Sequence, residues 1–528
     1  MLLDARSLES GTSLDYDLCI IGAGAAGITI ALELAAPDLR ICVLESGGLD
    51  YDPDTQALAA GSASNEFYPD LETNRLRYLG GTTNHWGGGT QRFGVMDFER
   101  RSWVPNSGWP ITRYDLEDYY DRAHPYLELP APEYDLKAIL ARGRLKPLPF
   151  VGEWFDYAIG YSSTPTRFGE VYRSALTEST SIDAYLNANV VDIVAADDGL
   201  SIARLDCAVL DGPRFQVRAR RYVLATGGIE NARLMLVSRG VHANGLGNAH
   251  DVVGRYFMDH PVVSGGILYP SIPADDLRRY LVPTVAAPES TTTLELSEKA
   301  MRERQIGGLR IPLASVTRYF ASEGIEAYHA LLDSISTEYD EGRLWDDIGK
   351  VARDIDMIAE AISRQMFSKR LFDHANDRDF YLADCMLEQT PDPENRVMLN
   401  DDRDALDLQR VNLQWRVSDF DRRTMQEAIV LFGESVAATG IGRVRVLLEQ
   451  ERTWGSQLSF GHHHSGATRM GDDPKTSVVD HQHKVHGLSN LHVAGSSVFP
   501  TCSHVPVTLT VVATSIRLAD HLKTALRS

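Results

Sequence analysis

The run Gly22-Ala23-Gly24-Ala25-Ala26-Gly27, directly behind the apolar stretch Asp17-Leu18-Cys19-Ile20-Ile21, constrains this chain more than any other feature. Its order predicts a strand, a tight glycine turn and a helix over 28–35. A second apolar strand, Ile41-Cys42-Val43-Leu44, follows and ends on Glu45 and Ser46. In such a unit the first glycine permits the sharp turn, the second lets a pyrophosphate approach the backbone, and the third lets helix and strand pack closely. The helix N-terminus offers unpaired N–H groups and the positive end of its dipole to phosphates. Glu45, 18 residues past Gly27, stands where a ribose hydroxyl would be bound. A lone Gly-x-Gly-x-x-Gly is weak evidence. With a strand before it, a helix after it and an acid at this distance, it predicts a dinucleotide site.

At 528 residues the chain exceeds the size at which single cores stop growing, so two domains are expected. A net charge of −21 argues against nucleic acid or an anionic membrane as partner. The five cysteines, Cys19, Cys42, Cys207, Cys385 and Cys502, are scattered and show no C-x-x-C or metal-ligand spacing. Buried free thiols, a reducing compartment and no metal are the expectation. The first 15 residues lack the basic-then-apolar pattern of a signal peptide, and no window approaches the roughly 18 apolar residues of a membrane span. A cytoplasmic location is therefore expected.

Behind the dinucleotide unit lie a polar, aromatic segment (51–79) and a second glycine run, Gly80-Gly81-Thr82-Thr83-Asn84-His85-Trp86. A helix is predicted over 115–127 with Thr112 as N-cap, then strands over 190–194, 203–210, 215–217 and 222–225, and a helix over 230–238. Residues 263–459 differ in character, with candidate strands at 310–314, 379–387 and 412–417 and long amphipathic helices at 341–366 and 419–439. The chain closes with a strand and turn at Leu491-His492-Val493-Ala494-Gly495-Ser496 and a helix over 508–524. Nucleotide-binding parts thus fall at the beginning, middle and end. The expected class is α/β: a Rossmann-type dinucleotide-binding domain (1–95, 180–262 and 460–528) interleaved with an α+β substrate domain (96–179 and 263–459), an antiparallel sheet covered by helices.

The glycine fingerprint, the Gly80–Trp86 run, Gly108-Trp109-Pro110-Ile111 and Leu224-Ala225-Thr226-Gly227-Gly228 occur in one order along the chain. Met258-Asp259-His260-Pro261, His463-His464-Ser465-Gly466-Ala467-Thr468-Arg469-Met470-Gly471 and Val493-Ala494-Gly495-Ser496-Ser497-Val498-Phe499-Pro500-Thr501 complete it. Together they resemble the glucose-methanol-choline (GMC) family of FAD-dependent alcohol oxidoreductases. The resemblance fades over 263–375, where substrate choice would be decided. It implies FAD along Gly22, Gly24, Ala25, Gly27, Glu45, Ser46, Gly80, Gly81, Thr82, His85, Trp86, Ala225, Thr226, Gly495 and Ser496. Val190 would meet adenine through its backbone, with Val507 and Thr508 near the isoalloxazine. In some relatives a histidine placed like His85 is covalently bound to the flavin; non-covalent FAD is the favoured expectation.

Oxidising an alcohol with a flavin needs a base for the hydroxyl proton while a hydride passes from carbon to flavin. A neutral histidine suits the first task, its unperturbed pKa being about 6.5. By resemblance His463, seven residues before Met470, is that base, and His462 and His464 would face elsewhere. Relatives carry a second histidine or asparagine six residues past the proline of the Pro-Thr pair; here that position is Pro506, which offers no donor. His504 is the nearest replacement, and His260 reads as structural. The expected function is oxidation of a sugar, glycoside or cyclitol-like alcohol, with oxygen or another acceptor taking the electrons. A non-sugar or aminosugar alcohol, or a flavin-binding protein with a degenerate site, stays open.

Overall fold

The computed structural model describes residues 1–143, 146–272, 290–316, 322–333, 344–367, 380–448, 454–455 and 457–527. Its first sheet is built around the predicted unit. The Ser13–Ile21 strand lies between Ile41–Leu44 and Arg214–Leu224, parallel to both, with Ile21 registered on Leu44 and on Leu224. Ile182–Leu186 and Leu2–Asp4 extend the parallel order on one side. On the other side Ile202–Ala208 and Asn189–Ala195 form an antiparallel meander, and Leu491–Val493 pairs in parallel with Arg214–Leu224.

Cys19, Ile20, Val43 and Val223 are fully buried, as expected for a sheet covered on both faces. The helix Ala25–Leu34 packs against the C-terminal helix Thr508–Arg527, which in turn packs on Glu117–Tyr126. All five cysteines are buried free thiols. No helix among the described residues is long and apolar enough to cross a membrane.

The second sheet is antiparallel throughout. Its order runs Gly442–Val446, Pro261–Pro270, Phe380–Leu387, Leu309–Ile311, Ser290–Leu296, Phe155–Ser162 and Gly89–Gln91. The helix Asp419–Ala438 packs against it, its N-terminus closed by a reciprocal Ser418–Asp421 capping box. A small third sheet joins Arg396–Arg403 and Gln409–Gln414 to Gly61–Ala63. Gly61–Ala63 and Gly89–Gln91 both fall within 1–95, yet hydrogen-bond into sheets outside the parallel one.

The sequence expectations need local corrections. The strand expected over 310–314 is two, Leu309–Ile311 and Leu313–Val316, parted at Pro312. Residues 215–217 and 222–225 belong to one strand, because continuous pairing with Ser13–Ile21 carries the charged stretch Arg218 to Arg221. The first helix begins at Ala25, within the glycine motif. The strand expected over 412–417 is Gln409–Gln414.

The helix expected over 341–366 is two, Leu344–Arg353 and Ile355–Phe367, while 341–343 lie outside the described residues. They part at Asp354, whose carboxylate turns to accept from Ser322 Oγ and from the Gly324 N–H at 3.0 Å.

Candidate active site

Where the two large sheets meet, a cavity of about 640 Å³ runs from the glycine turn to the histidine run. One end is walled by Gly22, Ala23, Gly24, Ala25, Glu45 and Ser46, with Val190, Ala225 and Thr226 alongside. Gly22 holds φ +104°, a conformation reserved in practice for glycine, and this turns the chain into the helix. A Cβ on Gly24 would meet nothing within 4 Å, so its backbone lies open to the cavity. A Cβ on Gly27 would instead strike the Gly22 carbonyl oxygen, the close helix–strand contact expected of the third glycine. Glu45 is buried: Oε2 accepts from Ala23 N–H at 2.9 Å and Oε1 from Gly47 N–H at 3.0 Å.

The other end is walled by Gly81, Thr82, His85, Trp86, His462, His463, His464, Gly495, Ser496, Pro506, Val507 and Thr508. Of the expected cofactor residues only Gly27 and Gly80 stay behind the wall; Gly80, at φ +96°, packs its backbone on Gly169. Trp86 is an anchor as well as a wall, its Nε1 donating to Thr166 O at 2.9 Å.

The cavity fits the expected group. Its volume is that of a cofactor-sized site. Two helix N-termini, at Ala25 and Thr508, open on it and favour anionic or electron-rich groups. The His464 Nε2 is buried on its wall without a hydrogen-bond partner among the described residues, which is where a polar ligand atom is called for.

All three histidines line the cavity, against the expectation that His462 and His464 face elsewhere, but each has a different environment. His462 is exposed, held at φ +55°. His464 turns inward against Phe257, with burial holding its pKa well below the ordinary imidazole value. His463 lies between them on the cavity wall. Its Nδ1 meets His260 Nδ1 at 3.0 Å, and Nε2 has no hydrogen-bond partner among the described residues. Burial first, then the neighbouring His260 and Arg310, pushes the His463 pKa well below 6.5, so the ring is neutral at working pH.

Asp259 builds this arrangement. Its Oδ1 accepts the backbone N–H of His260 at 2.7 Å and of His463 at 2.8 Å, while Tyr68 donates to Oδ2 at 2.9 Å. Backbone bonds between Met258 and Ser465 and from Gly461 N–H to His260 O lace the two segments together. His260 is the residue that sequence reasoning undervalued. Its signal was adjacency to a buried acid, legible only once the Met258 and Ser465 segments are paired.

His504 falls elsewhere than expected. It is not on the cavity wall; its Nε2 bonds Glu295 Oε2 at 2.9 Å. Burial would lower its pKa, yet Glu295, Asp97 and Glu388 outweigh that and raise it. Pro506, two residues on, does line the cavity. Beneath His504 lies a buried ion pair, Arg101 Nη1 to Glu388 Oε2 at 2.8 Å.

The antiparallel sheet adds a charged row. Glu295 is registered opposite Asp156 and Arg310, and Arg310 opposite Met386, so their side chains share one face. That face receives His504 and Gln91 on Glu295, and the Arg310 guanidinium is buried enough to bring its pKa down to about 10.

Residues 17–284 match the model of the FAD dependent oxidoreductase family, and 391–515 that of the GMC oxidoreductase family. The chain is 21% identical to the fructose dehydrogenase large subunit of Gluconobacter japonicus, covering 97% of this chain and 98% of that one. It is 26% identical to the 6'''-hydroxyparomomycin C oxidase of Streptomyces lividus, over 98% and 93% of the respective chains. Among solved structures, pyridoxine 4-oxidase from Mesorbium loti superposes with a TM-score of 0.57 at 16% identity, covering 96% of this chain and 99% of that one.

Proposed function

The chain belongs to the GMC family of FAD-dependent oxidoreductases acting on CH–OH groups, and from that premise we propose a sugar, glycoside or cyclitol-like alcohol as its substrate, with His463 as base. The observation that carries the proposal is the His463 ring: neutral, on the cavity wall, with Nε2 free. Relatives named for fructose and for hydroxyparomomycin C support a polyhydroxylated substrate.

In this reading Gly24, Ala25, Glu45 and Ser46 hold the dinucleotide end of FAD, with Val190 beside the adenine. Gly81, Thr82, His85, Trp86, Gly495, Ser496, Val507 and Thr508 hold the flavin end, without a covalent bond to His85. Bound FAD supplies the hydride acceptor, and oxygen or another oxidant afterwards takes up the electrons. His463 Nε2 takes the substrate hydroxyl proton, on a wall it shares with Trp86, Pro506 and Val507. His504, paired to Glu295, orients the substrate face rather than moving the proton.

Purified protein mixed anaerobically with sugars, glycosides and cyclitols should lose its yellow flavin absorbance with one of them. His463→Ala should slow that bleaching about a hundredfold or more, the scale of losing a general base. Bleaching at the parental rate would remove His463 from the role.

An aminosugar alcohol is a second reading, favoured by one observation. One face of the antiparallel sheet carries Asp156 and Glu295 around Arg310, an excess of acid that suits a cationic substrate. Comparing bleaching by neutral sugars and by aminosugars separates the two readings.

A further inference from the structure

We infer that His260 is a positioning residue that holds His463 in its Nδ1–H tautomer, leaving the Nε2 lone pair toward the cavity as the proton acceptor. The inference rests on His463 being the base. Its ground is the directionality of a short hydrogen-bond chain. His260 Nε2 lies 3.2 Å from the Cys502 carbonyl oxygen, and a carbonyl only accepts, so His260 carries its proton on Nε2. The opposite assignment would set two lone pairs against each other in a buried site. A neutral imidazole protonated on Nε2 has a bare Nδ1, and that atom faces His463 Nδ1 at 3.0 Å. His463 Nδ1 must therefore donate, and its Nε2 is left unprotonated.

The chain would lose its direction if His260 were cationic, because it would then donate from both nitrogens. Burial, with Arg310 and His504 nearby, brings its pKa down to about 3 and keeps it neutral. The charged and titratable neighbours of the pair include Arg310 from the antiparallel sheet, His462, His464 and His504 from the loops, and Asp259 beneath. The Asp259 carboxylate is spent on the two backbone N–H groups and on Tyr68, so it fixes where the rings stand without competing for the shared proton. Gly461 completes the device: a Cβ there would lie 3.0 Å from both His463 Nδ1 and His260 Cβ, so a side chain would press the two rings apart by a few tenths of an ångström. In catalysis the substrate O–H bond breaks, its proton moves to His463 Nε2, and the Nδ1–H···Nδ1 bond to His260 is retained.

Histidine-selective 15N labelling tests this without turnover. Long-range 1H–15N spectra, with His463→Ala identifying the signals, should show a pyrrole-type Nδ1 and a pyridine-type Nε2 on His463. This is the minority tautomer of free histidine. His260→Phe should release His463 to the Nε2–H form and slow anaerobic flavin reduction about 10- to 100-fold at little change in KM, the scale of outer partners that orient a working histidine. His260→Gln, whose carbonyl can accept from Nδ1–H, should recover part of both the spectrum and the rate. Should His260→Phe not fold, Gly461→Ala provides the same two readouts by parting the rings.

An Nε2–H His463 in the unaltered protein, or a spectrum and rate indifferent to His260, overturns the inference. Reduction indifferent to His463→Ala would instead overturn the base assignment, leaving the tautomer to be decided by the spectrum alone.

Discussion

The parallel sheet and the antiparallel sheet assemble their polar residues by different routes. Around Gly22 to Ser46 the cofactor wall is written in consecutive residues: strand, turn, helix, strand and acid. Across the antiparallel sheet, the charged face gathers Asp156, Glu295, Arg310 and Met386 from four strands far apart in sequence. Local order is enforced by backbone sterics, whereas the second face exists only through long-range register. The first wall should therefore fail outright when one atom is added, and the second should tolerate change while altering what is bound.

The sharpest way to break this contrast is Gly27→Val, whose side chain has no room against the Gly22 carbonyl. Complete loss of bound flavin, read from the absorbance of purified protein, is expected. Flavin retained at full stoichiometry would show that the helix–strand contact is looser than described.

Arg101→Met probes the second half. It leaves Glu388 buried beneath His504 without its guanidinium and should cost about 3–5 kcal/mol in denaturant unfolding. A loss below 1 kcal/mol would mean that water reaches the carboxylate.

Acidification should separate the halves by sign. In the nucleotide-binding part, burial lowers the pKa of His483 to about 4 and of His492 to about 3. Their folded values lie below the unfolded 6.5, so this stability is fully present above pH 6.5 and lost as pH falls. Each contributes at most about 1.4 kcal/mol per pH unit until its folded pKa is reached. In the antiparallel sheet burial raises Asp384, so its cost is present at neutral pH and relieved on acidification. Hydrogen exchange at pH 7 and pH 5 should show Leu491–Val493 loosening before Phe380–Leu387; the reverse order would contradict this assignment of signs.

Smallest is the effect expected of Glu295→Gln. By removing the acid opposite Arg310, it should shift kcat/KM about tenfold toward neutral over amino-bearing alcohols, roughly 1.4 kcal/mol. Unchanged discrimination would detach this row from the substrate.

How much was legible follows the same divide. Gly22 to Ser46, Gly81 to Trp86, Gly495, Ser496, Val507 and Thr508 were readable, and all but Gly27 and Gly80 of the expected cofactor residues line the cavity. Those two act by close backbone packing, which is what a glycine without a ligand neighbour does. Sequence distance from Pro506 does not report which way His504 points; its Nε2 bonds Glu295, 209 residues away. His260 was undervalued for the same reason, its partner being 203 residues off.

By itself the amino-acid sequence determined the dinucleotide unit and the α/β class, because glycine sterics and strand–helix periodicity act over a few residues; His463 as the foremost base candidate came from the resemblance to the GMC family. Only the tertiary structure decided how three adjacent histidines share the cavity wall, that His260 meets the His463 ring, and that Asp156, Glu295 and Arg310 share one face of a sheet. Those outcomes depend on hydrogen-bond direction and on the register of distant strands, which no local pattern encodes.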